Sequence, residues 1–456
     1  MDSKVVRSSR FKRRRLVGHF KMYKTAPYPL SNQLAAASPR RGTFLTYLRT
    51  GTLAVWLFAL IIRYWWLSDW FAMQEELESG VNVRVYYFIG FIIAFVAHLT
   101  FGIGVWLSIP FQVTSTWSGR LLTAFCVVAL LTSPLSLVPT SSAVYSVATW
   151  GVFALLCLYW QNDYQIVRRM TVFAGLVVLA WMYLLILKHG WTFGTGGGVI
   201  GGMNRNTTAL ATLGGTVCCM LSPRRSIRWL AIAAAIVIAL LVTSRGTMVA
   251  LGAFLAVYYI INKGTFKAVA YAFLGIVFFS IVLIASNSLR EVLFEDVMRL
   301  HDKARGIGSG FTGRFDYWKQ AIEAFWKRPL FGYGFRATTH GGGGEYGAIH
   351  SGYIKILVET GLVGGILVIS AVVIEAVRRL RIALQFRSML PQAAPGIDVV
   401  ETTRVNTVVC ATIALTMTMW VYEQLYINLG SVISIVFFLM MAAPAYITTR
   451  GVGLRR

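Results

Sequence analysis

Apolar residues in this chain gather into runs long enough to cross a bilayer as helices, which takes about 20 residues each. The runs lie at about 45–67, 85–109, 121–138, 142–160, 171–188, 203–221, 228–243, 246–262, 266–286, 352–377, 404–424 and 430–448. Polar or glycine-rich stretches separate them, and most of these are short. The pattern predicts an all-α fold: a polytopic transmembrane helix bundle of about twelve spans, with one long outside loop carrying amphipathic helices. Residues 1–43 form a disordered basic cytoplasmic tail, 44–286 hold spans one to nine, 287–351 the long loop, 352–449 the last three spans, and 450–456 a cytoplasmic C-terminus. No apolar run precedes residue 44, too late for a cleaved leader, so the first span is expected to be retained.

Within the long loop, Ser288-Leu289-Arg290-Glu291 reads as a capping box that opens a helix. A glycine-rich stretch follows, and then Phe315, Trp318, Ile322 and Phe325 recur at helical spacing with Asp316, Lys319, Gln320, Glu323 and Lys327 on other faces. That is an amphipathic helix, expected at the outer membrane–water boundary and stopped by Pro329 and Gly332. Gly341–Gly344 lead into His350, which begins the tenth span.

Composition narrows the class. The 456 residues carry 43 Lys and Arg against 18 Asp and Glu, a net charge of +25, yet only 13% are charged, 56% are hydrophobic and mean hydropathy is +0.63. A soluble globular chain has about 25% charged residues. The figures exclude a disordered chain, a collagen-like chain and a disulfide scaffold. They also argue against a nucleic-acid binder, which would be charged throughout. With the N-terminus inside, 28 of the 43 cations fall on the cytoplasmic side and 13 outside, nine of those in the long loop. Every short inside loop is then basic, and the first outside loop is acidic (Asp69, Glu75, Glu76, Glu78), as the positive-inside rule requires. The basic run Arg10, Lys12–Arg15 fits the anionic inner leaflet. All five cysteines sit in apolar runs without metal-ligand spacing and read as packing residues. No metal or cofactor is expected.

Ionisable groups at a membrane face need a reason, because Arg or Lys costs roughly 2.5–3.5 kcal/mol at mid-membrane. The outside face nevertheless gathers Arg205 in Asn204-Arg205-Asn206, Arg245 in Thr243-Ser244-Arg245-Gly246, Arg314 at the start of the amphipathic helix, and His350 followed by Lys355 and Glu359. Arginine grips phosphate through a planar fork, and a histidine near neutral pKa can take a proton from a hydroxyl. Together they suit attack by an alcohol on a carbon bearing a diphosphate leaving group. Structural readings stand beside each: Arg245 as a hairpin anchor, Arg314 as a first-turn surface residue, Arg205 snorkelling, His350 as an interfacial helix start, Lys355 and Glu359 as an intrahelical pair, Trp318 as an interface residue.

The stretch GRFDYWKQAIEAFWKRPLFGYGF, followed by HSGYIKILVETGLVGG, resembles the signature of the O-antigen ligase and polysaccharide polymerase superfamily. TSRGTMVAL is similar to that family's Ser-Arg turn, and Asn204-Arg205-Asn206 to its His/Lys-Asn motif. The resemblance covers about residues 195–375. It implies a metal-independent, inverting glycosyltransferase in the bacterial inner membrane, with both termini cytoplasmic and the active site periplasmic. The donor would be a glycan on undecaprenyl diphosphate. The acceptor would be another glycan repeat unit or lipid A–core, and a chain-length regulator is a candidate partner. Carried onto this sequence, Arg245 and Arg314 would hold the diphosphate and His350 would activate the acceptor, which makes 287–351 a catalytic loop. Arg205, Asn206, Lys355, Glu359 and Trp318 are substrate-binding candidates. The Gly-Arg…Trp and Pro-Leu-Phe-Gly-Tyr-Gly stretches are more similar to exopolysaccharide and O-antigen polymerases than to ligases. A polytopic transporter, or a receptor whose tail binds a partner, are the readings from other classes.

Overall fold

The computed structural model describes residues 109–162, 164–189, 199–200, 203–242, 244–264, 314–340, 349, 351–389, 397–421, 423, 427 and 432–447. The expected spans 45–67, 85–109 (Ile109 apart) and 266–286, the tail, and the loop up to residue 313 lie outside them. Each of the other nine expected spans coincides with a helix. These are α1 (Trp117–Leu131), α2 (Pro139–Asn162), α3 (Tyr164–His189), α4 (Arg205–Met220), α5 (Arg225–Leu241), α6 (Arg245–Lys263), then, after α7 (Arg314–Lys327) and the short α8 (Ala337–His340), α9 (Gly352–Met389), α10 (Val399–Met419) and α11 (Val432–Ala442). Four of them contain a stretch long and apolar enough to cross a membrane: Pro139–Gln161, Tyr164–Leu187, Gly246–Lys263 and Gly352–Ser388. Among the described residues the fold is helical apart from loops and a minimal antiparallel pairing of Val199–Ile200 with Met203–Asn204 just before α4.

Local chemistry explains where these helices start and stop. The expected run 121–138 ends early as a helix because Pro134 follows: α1 stops at Leu131, and Ser133–Leu135 tighten into a 3-10 turn. Pro139 then opens α2, a first-turn position that needs no N–H donor. Asp398 caps α10 by accepting from the Glu401 N–H at 2.9 Å.

α10 lies between α6 and α9, α3 runs along α4, and α1 runs along α9. The core joins Phe125, Trp160, Phe254, Val408, Phe438 and their neighbours. Several buried hydroxyls return their protons to the carbonyl four residues back, as in Thr407 to Thr403 and Thr412 to Val408, so an apolar surrounding leaves these no unmet donor. Where α3 meets α4, Gly175 and Gly215 let the backbones touch; a Cβ on Gly175 would lie 2.5 Å from the Gly215 carbonyl oxygen.

Two ion clusters tie the bundle together at one end. Glu375 accepts from Ser118 (2.6 Å), Arg378 (2.9 Å) and Arg379 (2.6 Å), and Arg379 also donates to Asn406 and to the Ala443 carbonyl. Glu401 accepts from Tyr164, Arg168 and Arg404. Arg387 reaches the Ile261 carbonyl at 2.8 Å, so α9 and α6 finish side by side. The starts of α2, α4, α6 and α9 therefore share the opposite end.

Candidate functional site

That opposite end is organised around a break in α9. Gly361 has φ 66° and ψ −169°, which divides the helix into Gly352–Thr360 and a longer second part. This conformation is essentially restricted to glycine. A break strands backbone groups: carbonyls before it lose their acceptor role, and N–H groups after it lose their partners. The segment after α7 supplies both. Tyr333 N donates to the Val358 carbonyl (2.9 Å) and Gly334 N to the Glu359 carbonyl (2.8 Å), while Leu362 N reaches the Pro329 carbonyl (2.8 Å) and Val363 N the Leu330 carbonyl (3.2 Å). Such close crossing leaves no space for side chains. A Cβ on Gly361 would lie 2.2 Å from the Leu330 oxygen, and one on Gly332 2.5 Å from the Val358 oxygen. The Pro-Leu-Phe-Gly-Tyr-Gly and Glu-Thr-Gly stretches are thus two halves of one backbone joint.

The joint is fastened on two further sides. Leu137 N donates to the Tyr333 carbonyl at 3.0 Å, and Gly334 packs directly on Ser136. Phe335 meets Phe125 edge-on at 5.4 Å. On α7, Ala321 and Phe325 pack with Ile349 and Val358. The buried face of α7 differs from the expected stripe: Ala321, Ala324 and Phe325 are enclosed, whereas Ile322 is 46% and Trp326 69% exposed. The alanines, too small to weigh in a hydrophobicity pattern, allow the close approach to α9. Beside the joint, Thr132, Leu135 and residues 328–332 and 334 line an open cleft of about 410 Å³.

Of the expected site residues, Lys355 and Glu359 have described contacts at this joint. Arg205, Arg245 and Arg314 are the first residues of α4, α6 and α7, and Asn206 is the second of α4. The side chains of these four lie outside the described residues. The helix dipole disfavours a cation at a helix start by typically 0.3–1 kcal/mol, so three arginines placed there run against the intrinsic preference. His350 lies outside the described residues, but both its neighbours are fixed. Ile349 is buried against α7, and the Ser351 hydroxyl donates to the Trp420 carbonyl at 3.2 Å. Trp318 is half-buried on α7. Lys355 and Glu359 are enclosed together one turn apart, Nζ to Oε1 at 3.9 Å. Glu359 also accepts from the Arg336 backbone N–H at 3.1 Å and from the Thr338 hydroxyl, so its carboxylate holds the segment beyond the joint.

Arg336 was not singled out by the sequence. It is enclosed, at 6% exposure, with φ 67°, and its guanidinium lies 5.1 Å from the centre of the Tyr145 ring. In the sequence it is one of nine cations in the long loop; only its place directly after Gly-x-Gly-Phe sets it apart.

Among known proteins, the model of the O-antigen ligase family matches residues 210–369. The match runs from α4 into α9 and takes in Arg245, Arg314, Arg336, His350, Lys355, Glu359 and the whole joint, while Arg205 and Asn206 precede it. It supports the O-antigen ligase and polysaccharide polymerase superfamily. No curated protein matches the chain.

Proposed function

We propose that this membrane protein, of the O-antigen ligase and polymerase type, is an inverting, metal-independent glycosyltransferase. It takes a glycan from undecaprenyl diphosphate at the periplasmic face and polymerises exopolysaccharide or O-antigen repeat units. The observation that carries this reading is the family match over residues 210–369, a stretch that holds the backbone joint together with Arg245, Arg314, His350, Lys355 and Glu359. Arg245 and Arg314 bind the diphosphate. His350 accepts the proton of the acceptor hydroxyl as its oxygen attacks the anomeric carbon, and the carbon–oxygen bond to phosphate breaks. The undecaprenyl diphosphate leaves with the electron pair, its charge held by the arginines. Proton transfer of this kind contributes typically 10²–10⁴-fold.

Two alternatives differ in what they need. A ligase would use the same donor site with lipid A–core as acceptor. A transporter would use a broken helix to expose backbone groups to its cargo. In α9 those groups are already taken by residues 329–334, which favours the enzyme.

Purified protein offered a lipid-linked repeat unit, with and without lipid A–core, separates these readings. A ladder of products is expected. A single addition to the core would make the protein a ligase. No product, with solute uptake into liposomes, would make it a transporter. His350→Ala is expected to abolish transfer while the protein still inserts and folds, and a chelator is expected to leave activity unchanged. Full activity in the purified His350→Ala variant would remove His350 from the mechanism.

A further inference from the structure

A buried arginine without an acidic partner is rare, because removing a cation from water carries a penalty of several kcal/mol that only a counter-charge or good hydrogen bonds offset. Among the described residues the enclosed Arg379 follows that rule, with Glu375 and Asn406 as partners, and the partly buried Arg168 has Glu401. Arg336 does not. Its Nε is fully enclosed and has no hydrogen-bond partner. The nearby carboxylate, Glu359, accepts the Arg336 backbone N–H and is ion-paired with Lys355 rather than with the guanidinium. Lys355 itself is close enough to repel Arg336. The contact recorded for the guanidinium is the Tyr145 ring, which stabilises a cation but does not neutralise it. The backbone is also held against its preference, since Arg336 is the positive-φ residue among the described residues that is not glycine.

The surrounding contacts therefore hold the Arg336 backbone and one face of its guanidinium and leave Nε without a hydrogen-bond partner. Gly334 is clamped on Ser136, Phe335 on Phe125, and the Arg336 N–H on Glu359. We propose that Arg336 is a binding residue for a phosphate oxyanion of the lipid-linked donor, preorganised by Tyr145 and by the Glu359-held backbone. This rests on the donor proposed above. A phosphate oxyanion suits this position because it can accept from the guanidinium fork and supply the counter-charge the enclosed arginine lacks.

The test measures binding of undecaprenyl diphosphate, without a glycan, to purified protein in detergent, and compares wild type with Arg336→Met and Arg336→Lys. Loss of a charge-assisted hydrogen-bonding fork predicts Kd about ten- to hundredfold weaker in Arg336→Met, with partial retention in Arg336→Lys. Ligand-free Arg336→Met is expected to unfold at the same temperature as wild type or higher, because an uncompensated buried charge is removed. A purely structural arginine would instead lower that temperature. Wild-type protein that fails to bind undecaprenyl diphosphate would overturn the donor reading itself. Wild-type binding with unchanged affinity in Arg336→Met would overturn the role of Arg336 and leave the donor reading intact. Weakened binding only for donors carrying an acidic glycan would assign the arginine to a sugar carboxylate and overturn the phosphate assignment.

Discussion

Gly361→Ala tests the joint most directly. The residue sits at φ 66°, ψ −169°, and forcing alanine into that region costs about 1–3 kcal/mol. Its new Cβ would meet the Leu330 oxygen at 2.2 Å, the Leu330 carbonyl carbon at 2.3 Å and the Phe331 nitrogen at 2.5 Å. All three are backbone, so no side-chain rotation relieves the clash. Residues 330–331 must retreat by about 1 Å to reach ordinary contact. That retreat stretches first the Leu362–Pro329 and Val363–Leu330 hydrogen bonds, now 2.8 and 3.2 Å. Each is worth about 0.5–1.5 kcal/mol net. Strain and lost bonds together come to about 2–6 kcal/mol, a large part of the 5–15 kcal/mol that holds a typical domain. The assay is the apparent unfolding midpoint of detergent-purified protein at a fixed heating rate, with transfer activity alongside. Gly252→Ala is the control, since a Cβ on that helical glycine meets nothing within 4 Å and should leave the midpoint unchanged or raise it. Gly361→Ala is expected to lower the midpoint by several degrees and to reduce activity. Equal midpoints for Gly361→Ala and wild type would refute the backbone joint.

Two further substitutions probe how the joint and the bundle are held. Arg379→Ala removes the partner that links Glu375 to Asn406 and the Ala443 carbonyl, and should cost about 3–5 kcal/mol by leaving polar groups buried and unpaired. The double change Glu375→Leu, Arg379→Met should recover part of that loss; midpoints no higher than in Arg379→Ala would contradict the pairing. Gly334→Ala places a Cβ 1.9 Å from the Ser136 hydroxyl oxygen. It should therefore abolish activity, with partial recovery when Ser136→Gly is added, and an active single variant would show that the contact is not tight.

The helices were legible because apolar runs of membrane length have few alternatives, and nine of the twelve expected runs coincide with helices among the described residues. The break in α9 was not. Residues 361–369 continue the apolar run without interruption, so hydropathy passes straight through Gly361. The glycines of the signature stood out as a pattern, but the pairing of Tyr333 with Val358 and of Leu362 with Pro329 depends on chain crossing, which no local rule encodes. The same holds for the far end. Arg168, Arg378, Arg379 and Arg404 read as orientation signals, yet Glu375 and Glu401, acids within or beside apolar runs, were the available sign that these cations are also paired. Arg336 escaped because its significance lies in a guanidinium that is enclosed without pairing to the nearby Glu359, a property of space rather than of sequence.

The interleaving of residues 329–334 with 358–363 also bears on how such proteins can be recombined. A loop is ordinarily a module: it can be exchanged between relatives with only its two ends to match. Here the loop completes the helix, and the helix completes the loop. A chimera that imports a foreign 287–351 segment onto this α9 would bring together backbone groups selected in different contexts, and the graft boundary should instead run beyond Gly365, so that both halves of the joint travel together.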